Sequence, residues 1–240
     1  MCQTFYGNLR IMDGELGLRE RKKLRTRQLI AETARRMFTE HGFDAVPVTA
    51  IARAAEVSEA TVYNYFPVKE DLVYQGMEAF ESELLAAMRD RPAGESFVAA
   101  FGRFVLKPRG LLAAQDQESA RYLTAVSTVI ASSPALLTRE REIFARYTAS
   151  LAALIASDTS AEADDLRPWA AAHALIGIHQ SLIGFVRRHL TEGPADLARL
   201  AQEVTARGQQ AMDLLEQGLG SYGATPATHP GRAARPRRPI

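Results

Sequence analysis

Apolar residues recur along this chain at helical rather than strand spacing. Ile30, Ala34, Met37 and Phe38 share one face of a helix predicted over 26–41, and Gly42 stands at its stop position. Val48, Ile51, Ala52 and Ala55 then fall at i, i+3, i+4 and i+7, and Val62 and Phe66 at i and i+4. These predict two short helices joined by a tight turn from which Val57 points inward. Ser58 takes the N-cap position of the second, where its hydroxyl accepts an orphan backbone N–H. Pro67 ends that helix. Lys69 opens a long helix to about Arg89, with Val73, Met77, Phe80, Leu84 and Met88 facing inward.

From about Glu95 onward the chain has no strand alternation and no Asn-Gly hairpin signal. A helix over 95–107 aligns Phe97, Phe101 and Phe104, and one over 111–132 holds Tyr122 and Val126. Ser133-Pro134 starts the next, to about Ser157, with Leu137, Phe144, Tyr147, Leu151 and Ile155 inward. Thr159-Ser160-Ala161-Glu162 reads as a capping box for the most apolar helix, which runs to about Leu190. Gly193-Pro194 breaks it, and a final helix reaches about Gln217. The expectation is an all-α chain of nine helices: a three-helix head over residues 19–68 and a six-helix bundle over residues 69–217. Residues 1–18 are expected to be flexible, with Met12 an alternative start. Residues 218–240, rich in Gly, Pro, Ala and Arg, are expected to be disordered.

The last two helices carry a second pattern. Ala170, Ala174, Gly177, Ser181 and Gly184 form a small-residue stripe. Each Gly inside a helix costs roughly 1 kcal/mol against Ala, so two on one line imply close helix–helix approach. Leu197, Ala201, Val204, Gly208, Ala211 and Leu215 form a heptad seam. Two such helices from each of two copies predict a four-helix homodimer interface; packing within one chain is the plainer reading.

Charge sharpens the division. Residues 19–69 hold ten Lys/Arg against six Asp/Glu, whereas residues 70–230 hold 14 against 20. The stretch R-E-R-K-K-L-R-T-R over 19–27, which includes Arg25 and Arg27, reads as a basic arm ahead of the head. A basic head on an acidic body is the footprint of a nucleic-acid reader. Hydrophobic content of 47% and charged content of 24% fit an ordinary soluble globular protein. No uninterrupted apolar run suggests a membrane span, and the N-terminus lacks a secretory pattern. Cys2 is the only cysteine, which excludes an intramolecular disulfide and suits the cytoplasm.

The stretch V-T-A-I-A-R-A-A-E-V-S-E-A-T-V-Y-N-Y-F over 48–66, with T-R-Q-L-I-A-E-T-A-R-R-M-F-T-E-H-G-F before it and P-V-K-E-D-L after it, resembles the helix-turn-helix of TetR-type transcriptional repressors. The resemblance covers about a fifth of the chain. The family usually has Gly in the turn where Glu56 stands, a Ser or Thr cap where Val46-Pro47 stands, and Ser where Val68 stands. It implies a dimer on a palindromic double-stranded operator, a ligand site in the body, and the helix from Lys69 as the lever between them. Ala60, Thr61, Tyr63 and Asn64 are then the expected base readers, beside the cap Ser58. Thr49, Tyr65, Lys69, Arg25 and Arg27 are the expected phosphate contacts. The reading face has no Arg or Lys, so specificity leans on thymine methyls and DNA shape.

Other chemistry is weaker. Gly218, Gly220 and Gly223 spell G-x-G-x-x-G, but they follow a helix and run into Pro226, so no cofactor is expected. His173 and His179 lie six apart on different helix faces, and no metal site is expected. No nucleophile–base arrangement stands out, and the chain is expected not to be an enzyme. Phe80, Phe97, Phe101, Phe104, Tyr122, Phe144, Tyr147, Trp169, His173 and Gln180 are the candidates for an apolar ligand pocket, each also readable as plain core. The reading is a dimeric repressor released from its operator by a small hydrophobic effector. Its alternatives are an activator or ligand-independent regulator on the same fold, or a helical interaction protein that does not bind DNA.

Overall fold

The computed structural model describes residues 17–114, 116–192 and 196–218. The predicted flexible N-terminus, the Gly193-Pro194 break, the G-x-G-x-x-G glycines Gly220 and Gly223 and the basic tail lie outside them. The described residues form ten α-helices and one 3₁₀ turn, with no strand among them. The fold is all-α, as the spacing predicted.

The head comprises α1 (Leu18–His41), α2 (Val48–Ala54) and α3 (Glu59–Tyr65). Ile30, Ala34 and Phe38 are buried under Ile51, Ala52, Val62 and Phe66. The helix begins eight residues earlier than predicted, so the expected basic arm is helical. Leu, Arg, Lys and Gln are good helix formers, and nothing between Leu18 and Leu29 interrupts them. Gly42, at φ 82°, ends α1 and donates its N–H to the Phe38 carbonyl at 2.9 Å.

The predicted continuous helix from Lys69 is broken. Lys69–Leu72 is a 3₁₀ turn, and α4 spans only Met77–Arg89. Gly76 takes φ 92° at the break, a conformation open to glycine at little steric cost. The kink lets Leu72 and Tyr74 bury, and the Tyr74 hydroxyl donates to the Leu136 carbonyl at 2.9 Å.

The body continues with α5 (Phe97–Val105), the short α6 (Gly110–Ala114), α7 (Gln117–Ser132), α8 (Pro134–Asp158), α9 (Arg167–Thr191) and α10 (Leu197–Glu216). The predicted helix over 111–132 is thus two, with Asp116 capping α7 through the Ser119 N–H at 2.7 Å. Pro134 opens α8 as predicted, but Leu136 is buried and Leu137 is exposed. The predicted capping box is not one. Thr159 closes α8 with its hydroxyl on the Ile155 carbonyl, and α9 starts only at Arg167. The helices α8 and α9 lie along each other, while α10 packs on α5, α6 and α9. The 25-residue α9 holds an 18-residue window of mean hydropathy 1.3, so by length and composition it is apolar enough to cross a membrane, contrary to the expectation of no membrane span.

Head and body meet through specific contacts. Asp71 pairs with Arg139 of α8 at 2.9 Å, and Ser133 donates to Asp44 of the α1–α2 loop at 3.3 Å.

Candidate DNA interface and ligand cavity

In the head, the turn after α2 places Glu56 at φ 54°, the left-handed position where the resembled family carries Gly. The Val57 N–H returns to the Ala52 carbonyl at 3.0 Å, which holds the turn tight. The Ser58 hydroxyl accepts the Thr61 N–H at 3.1 Å and lies 2.7 Å from the Thr61 hydroxyl, so these two side chains serve each other at the start of α3. With Val62 and Phe66 buried, Ala60, Tyr63 and Asn64 point outward, and Tyr63 is 44% exposed. This face has no Arg or Lys, and its one charge is the exposed Glu59 in the first turn of α3. Thr49 at the start of α2 and Arg25 on α1 are also exposed, and Tyr65 is partly buried.

Two expected phosphate contacts are engaged inside the chain. Arg27 donates to the Tyr65 carbonyl at 3.1 Å and lies 4.7 Å from the Phe66 ring centroid. Lys69 donates to the Phe43 carbonyl at 2.6 Å and stands over the Phe43 ring. Burial lowers its pKa, against the pull of Asp44 and Glu70. Both residues stitch α3 and its exit to α1, a role that spacing alone could not reveal.

In the body, nine of the ten predicted pocket residues separate into three groups. Phe101, Phe104, Phe144 and Tyr147 are buried core, and Tyr147 donates its hydroxyl to the Met77 carbonyl. Phe97 packs under the Arg91 guanidinium at 3.8 Å, and Tyr122 is partly buried on α7. Trp169, His173 and Gln180 lie on the outer face of α9, contrary to expectation; Trp169 is 47% exposed. The reason is helical phase. The inward line of α9 runs Ala172, Leu175, Ile176, His179 and Leu182, one position away from His173 and Gln180.

His179 is the residue the sequence reading missed. It stacks on Phe80 at 5.1 Å with ring planes 9° apart and meets Phe144 edge-on at 5.8 Å. Burial lowers its pKa from 6.5 to about 4, so the ring is neutral at pH 7. Its Nδ1 is buried without a hydrogen-bond partner among the described residues. His179 and Phe80 border a cavity of about 340 Å³ lying between the α5–α6 connection, α7, α9 and α10. Its wall is mostly aliphatic, with Leu112, Leu123, Val126, Ile130, Leu182, Ile183 and Val186. Of the predicted pocket residues only Phe80 lines it. Lys107, Arg109 and Arg187 supply its charged lining.

The expected interface residues on α10 also need correction. Leu197, Ala201, Val204 and Gly208 are buried within the chain, and Ala211 and Leu215 are partly so. A Cβ on Gly208 would come within 2.1 Å of Leu106 Cδ2, so this glycine lets Leu106 close in on α10. The seam is internal packing. The stripe on α9 differs. Ala170 and Ser181 are exposed, Ala174, Gly177 and Gly184 are partly so, and a Cβ on Gly177 would meet nothing within 4 Å.

The head thus presents the outward face of α3 and is docked on a helical body with its own cavity. Residues 30–75 match the family of bacterial regulatory proteins described as tetR. An 80-residue stretch is 38% identical to the HTH-type transcriptional regulator TcmR of Streptomyces glaucescens, covering 33% of this chain and 35% of that protein. The chain thus matches about a third of that relative's length. NalD of Pseudomonas aeruginosa, described as the secondary repressor of the MexAB-OprM multidrug efflux pump, shares the fold. The likeness has a TM-score of 0.50 and 19% identity, over 78% of this chain and 96% of NalD. Salmonella enterica GusR aligns over 80% of this chain and 97% of its own, at 18% identity and a TM-score of 0.44. Residues 30–75 thus carry the helix-turn-helix segment of the tetR family of bacterial regulatory proteins.

Proposed function

We propose that this chain is a dimeric transcriptional repressor acting in the cytoplasm, which a small hydrophobic ligand releases from a palindromic operator. The observation that carries the reading is the pairing of an exposed α3 face, rich in hydroxyl and amide groups, with an apolar cavity in the same chain's body. Ala60, Tyr63 and Asn64 read base edges, and Thr49, Tyr65 and Arg25 touch phosphates. A second copy covers the small-residue stripe of α9. Two heads then stand about one helical turn of DNA apart.

Ligand in the cavity favours a head position that no longer matches the operator. By linkage, ligand and operator weaken each other by one common factor. The relative named as a transcriptional regulator supports a role in transcription.

The test is a titration of labelled duplex from the chain's own upstream region. Tyr63→Ala should lower affinity at least ten-fold while sedimentation still reports the same assembly. Unchanged affinity in that variant removes α3 as the reader.

A further inference from the structure

The cavity's charges are all of one sign. Lys107, Arg109 and Arg187 line it, and no Asp or Glu does. Arg187 is already neutralised by the two carboxylate oxygens of Glu140. Lys107 has no ion-pair partner among the described residues, is exposed, and lines the cavity beside Pro108. Arg109 reaches only the exposed Glu83, at 3.1 Å through one Nη, while its plane covers the Phe104 ring at 3.7 Å. Its Nε is buried without a hydrogen-bond partner among the described residues. The lining of an aliphatic chamber therefore includes two incompletely matched cations, one with a buried donor left over. A buried donor without an acceptor is costly, and an anionic acceptor satisfies it with a charge-assisted bond. A cationic guest would instead meet like charge in a medium of reduced dielectric.

We infer that the ligand is an apolar anion, its hydrophobic body in the chamber beside Leu123 and Leu182 and its single acidic group on Lys107 and Arg109. This rests on the cavity being the effector site. The orphan Nδ1 of His179 offers one more hydrogen bond on the inner wall, to a hydroxyl or carbonyl of the guest.

The test compares three dyes on the full chain. These are 8-anilinonaphthalene-1-sulfonate, its uncharged parent N-phenyl-1-naphthylamine, and cationic rhodamine 6G. The sulfonate should bind at least ten-fold more tightly than the uncharged parent and should not be displaced by rhodamine. Lys107→Gln and Arg109→Gln, singly and together, should erase that preference and leave the uncharged dye's affinity within two-fold. Lys107 is exposed, so its variant keeps the fold even if Arg109→Gln does not. Equal affinity for the first two dyes, or a preference for rhodamine, overturns the anion assignment and leaves the cavity standing. A cavity-filling Leu123→Trp variant should abolish binding of both naphthyl dyes. If it leaves them unchanged, the cavity is not the site, and both readings fall.

Discussion

Arg187 of α9 and Glu140 of α8 are joined by two parallel hydrogen bonds, at 2.8 and 2.5 Å. One side of this pair faces the cavity, because Arg187 lines it. The other side is felt at the junction with the head. The Tyr74 phenol is held well above its ordinary pKa, first by burial and then by the Glu140 charge, with Arg187 opposing. Tyr74 in turn hydrogen-bonds the Leu136 carbonyl near the Asp71–Arg139 bridge. Glu140→Gln keeps the shape and removes the charge, leaving a partly buried guanidinium underpaired. It should cost about 1.5–3 kcal/mol, the range for hydrogen bonds to charged groups. Urea unfolding of Glu140→Gln, Arg187→Gln and the double variant checks this. A coupling below about 0.5 kcal/mol would mean the pair acts only as an exposed ion pair does.

His179 makes the fold sensitive to acid. The unfolded chain takes up a proton at this ring near pH 6.5, and the folded chain only near pH 4. Between those values the unfolded state binds more protons, so stability falls as pH drops from 6.5 to 4 and this contribution levels off below. At 1.36 kcal/mol per pKa unit, the loss between pH 7 and pH 4.5 is about 2 kcal/mol. His179→Leu removes the titration, and other carboxylates and histidines titrate alike in both proteins. The variant's unfolding free energy should therefore drop less over that interval, by about that amount. Parallel curves for the two proteins would show that the ring is reachable by water in the folded state.

Glu56 sits at φ 54° in a turn, and its side chain makes no hydrogen bond or ion pair among the described residues. A non-glycine residue there costs about 1–2 kcal/mol, and glycine adds back some unfolded-state entropy. Glu56→Gly should therefore stabilise the head by about 0.5–1 kcal/mol, read as a raised unfolding midpoint in urea. A lowered midpoint would mean that the left-handed turn is not retained in solution.

What was legible in the sequence was whatever a local period or a local cap determines. The core faces of α1, α2 and α3 follow from spacing, and Ser58 and Pro134 mark helix starts by their own chemistry. Glu56 was legible as a misfit only through the resemblance, because the resembled family usually has Gly in that turn. Three things were hidden because they depend on partners distant in the chain. Lys69 opens no long helix, because Gly76 breaks it and Phe43 draws the ammonium inward. The α10 seam has a periodicity that suits a partner copy equally well, and only Leu106 against Gly208 assigns it to the chain's own interior. The cavity's cations come from a loop, Lys107 and Arg109, and from α9, which no single window of sequence joins. His179 was recoverable from phase alone, since it continues the line of Ala172, Leu175 and Ile176.

The two glycines Gly177 and Gly208 separate internal packing from association, because the same substitution should act on them with opposite sign. Ala in place of a helical Gly gains about 1 kcal/mol of helix propensity wherever the methyl has room. At Gly208 the methyl meets Leu106 Cδ2 at 2.1 Å and Leu182 Cδ1 at 3.4 Å. Overpacking of this kind costs about 1–3 kcal/mol, so Gly208→Ala should be neutral to destabilising by about 2 kcal/mol at any protein concentration. At Gly177 the methyl meets nothing in the chain, and an isolated subunit should gain the full propensity term. If a second copy approaches closely along this stripe, the methyl holds the two helices apart. Gly177→Ala should then raise the dimer dissociation constant at least ten-fold in sedimentation equilibrium, while dilute protein unfolds at a higher urea midpoint. A variant that is more stable when dilute and equally dimeric when concentrated would show that the copies meet elsewhere, and the α9 stripe would lose its role.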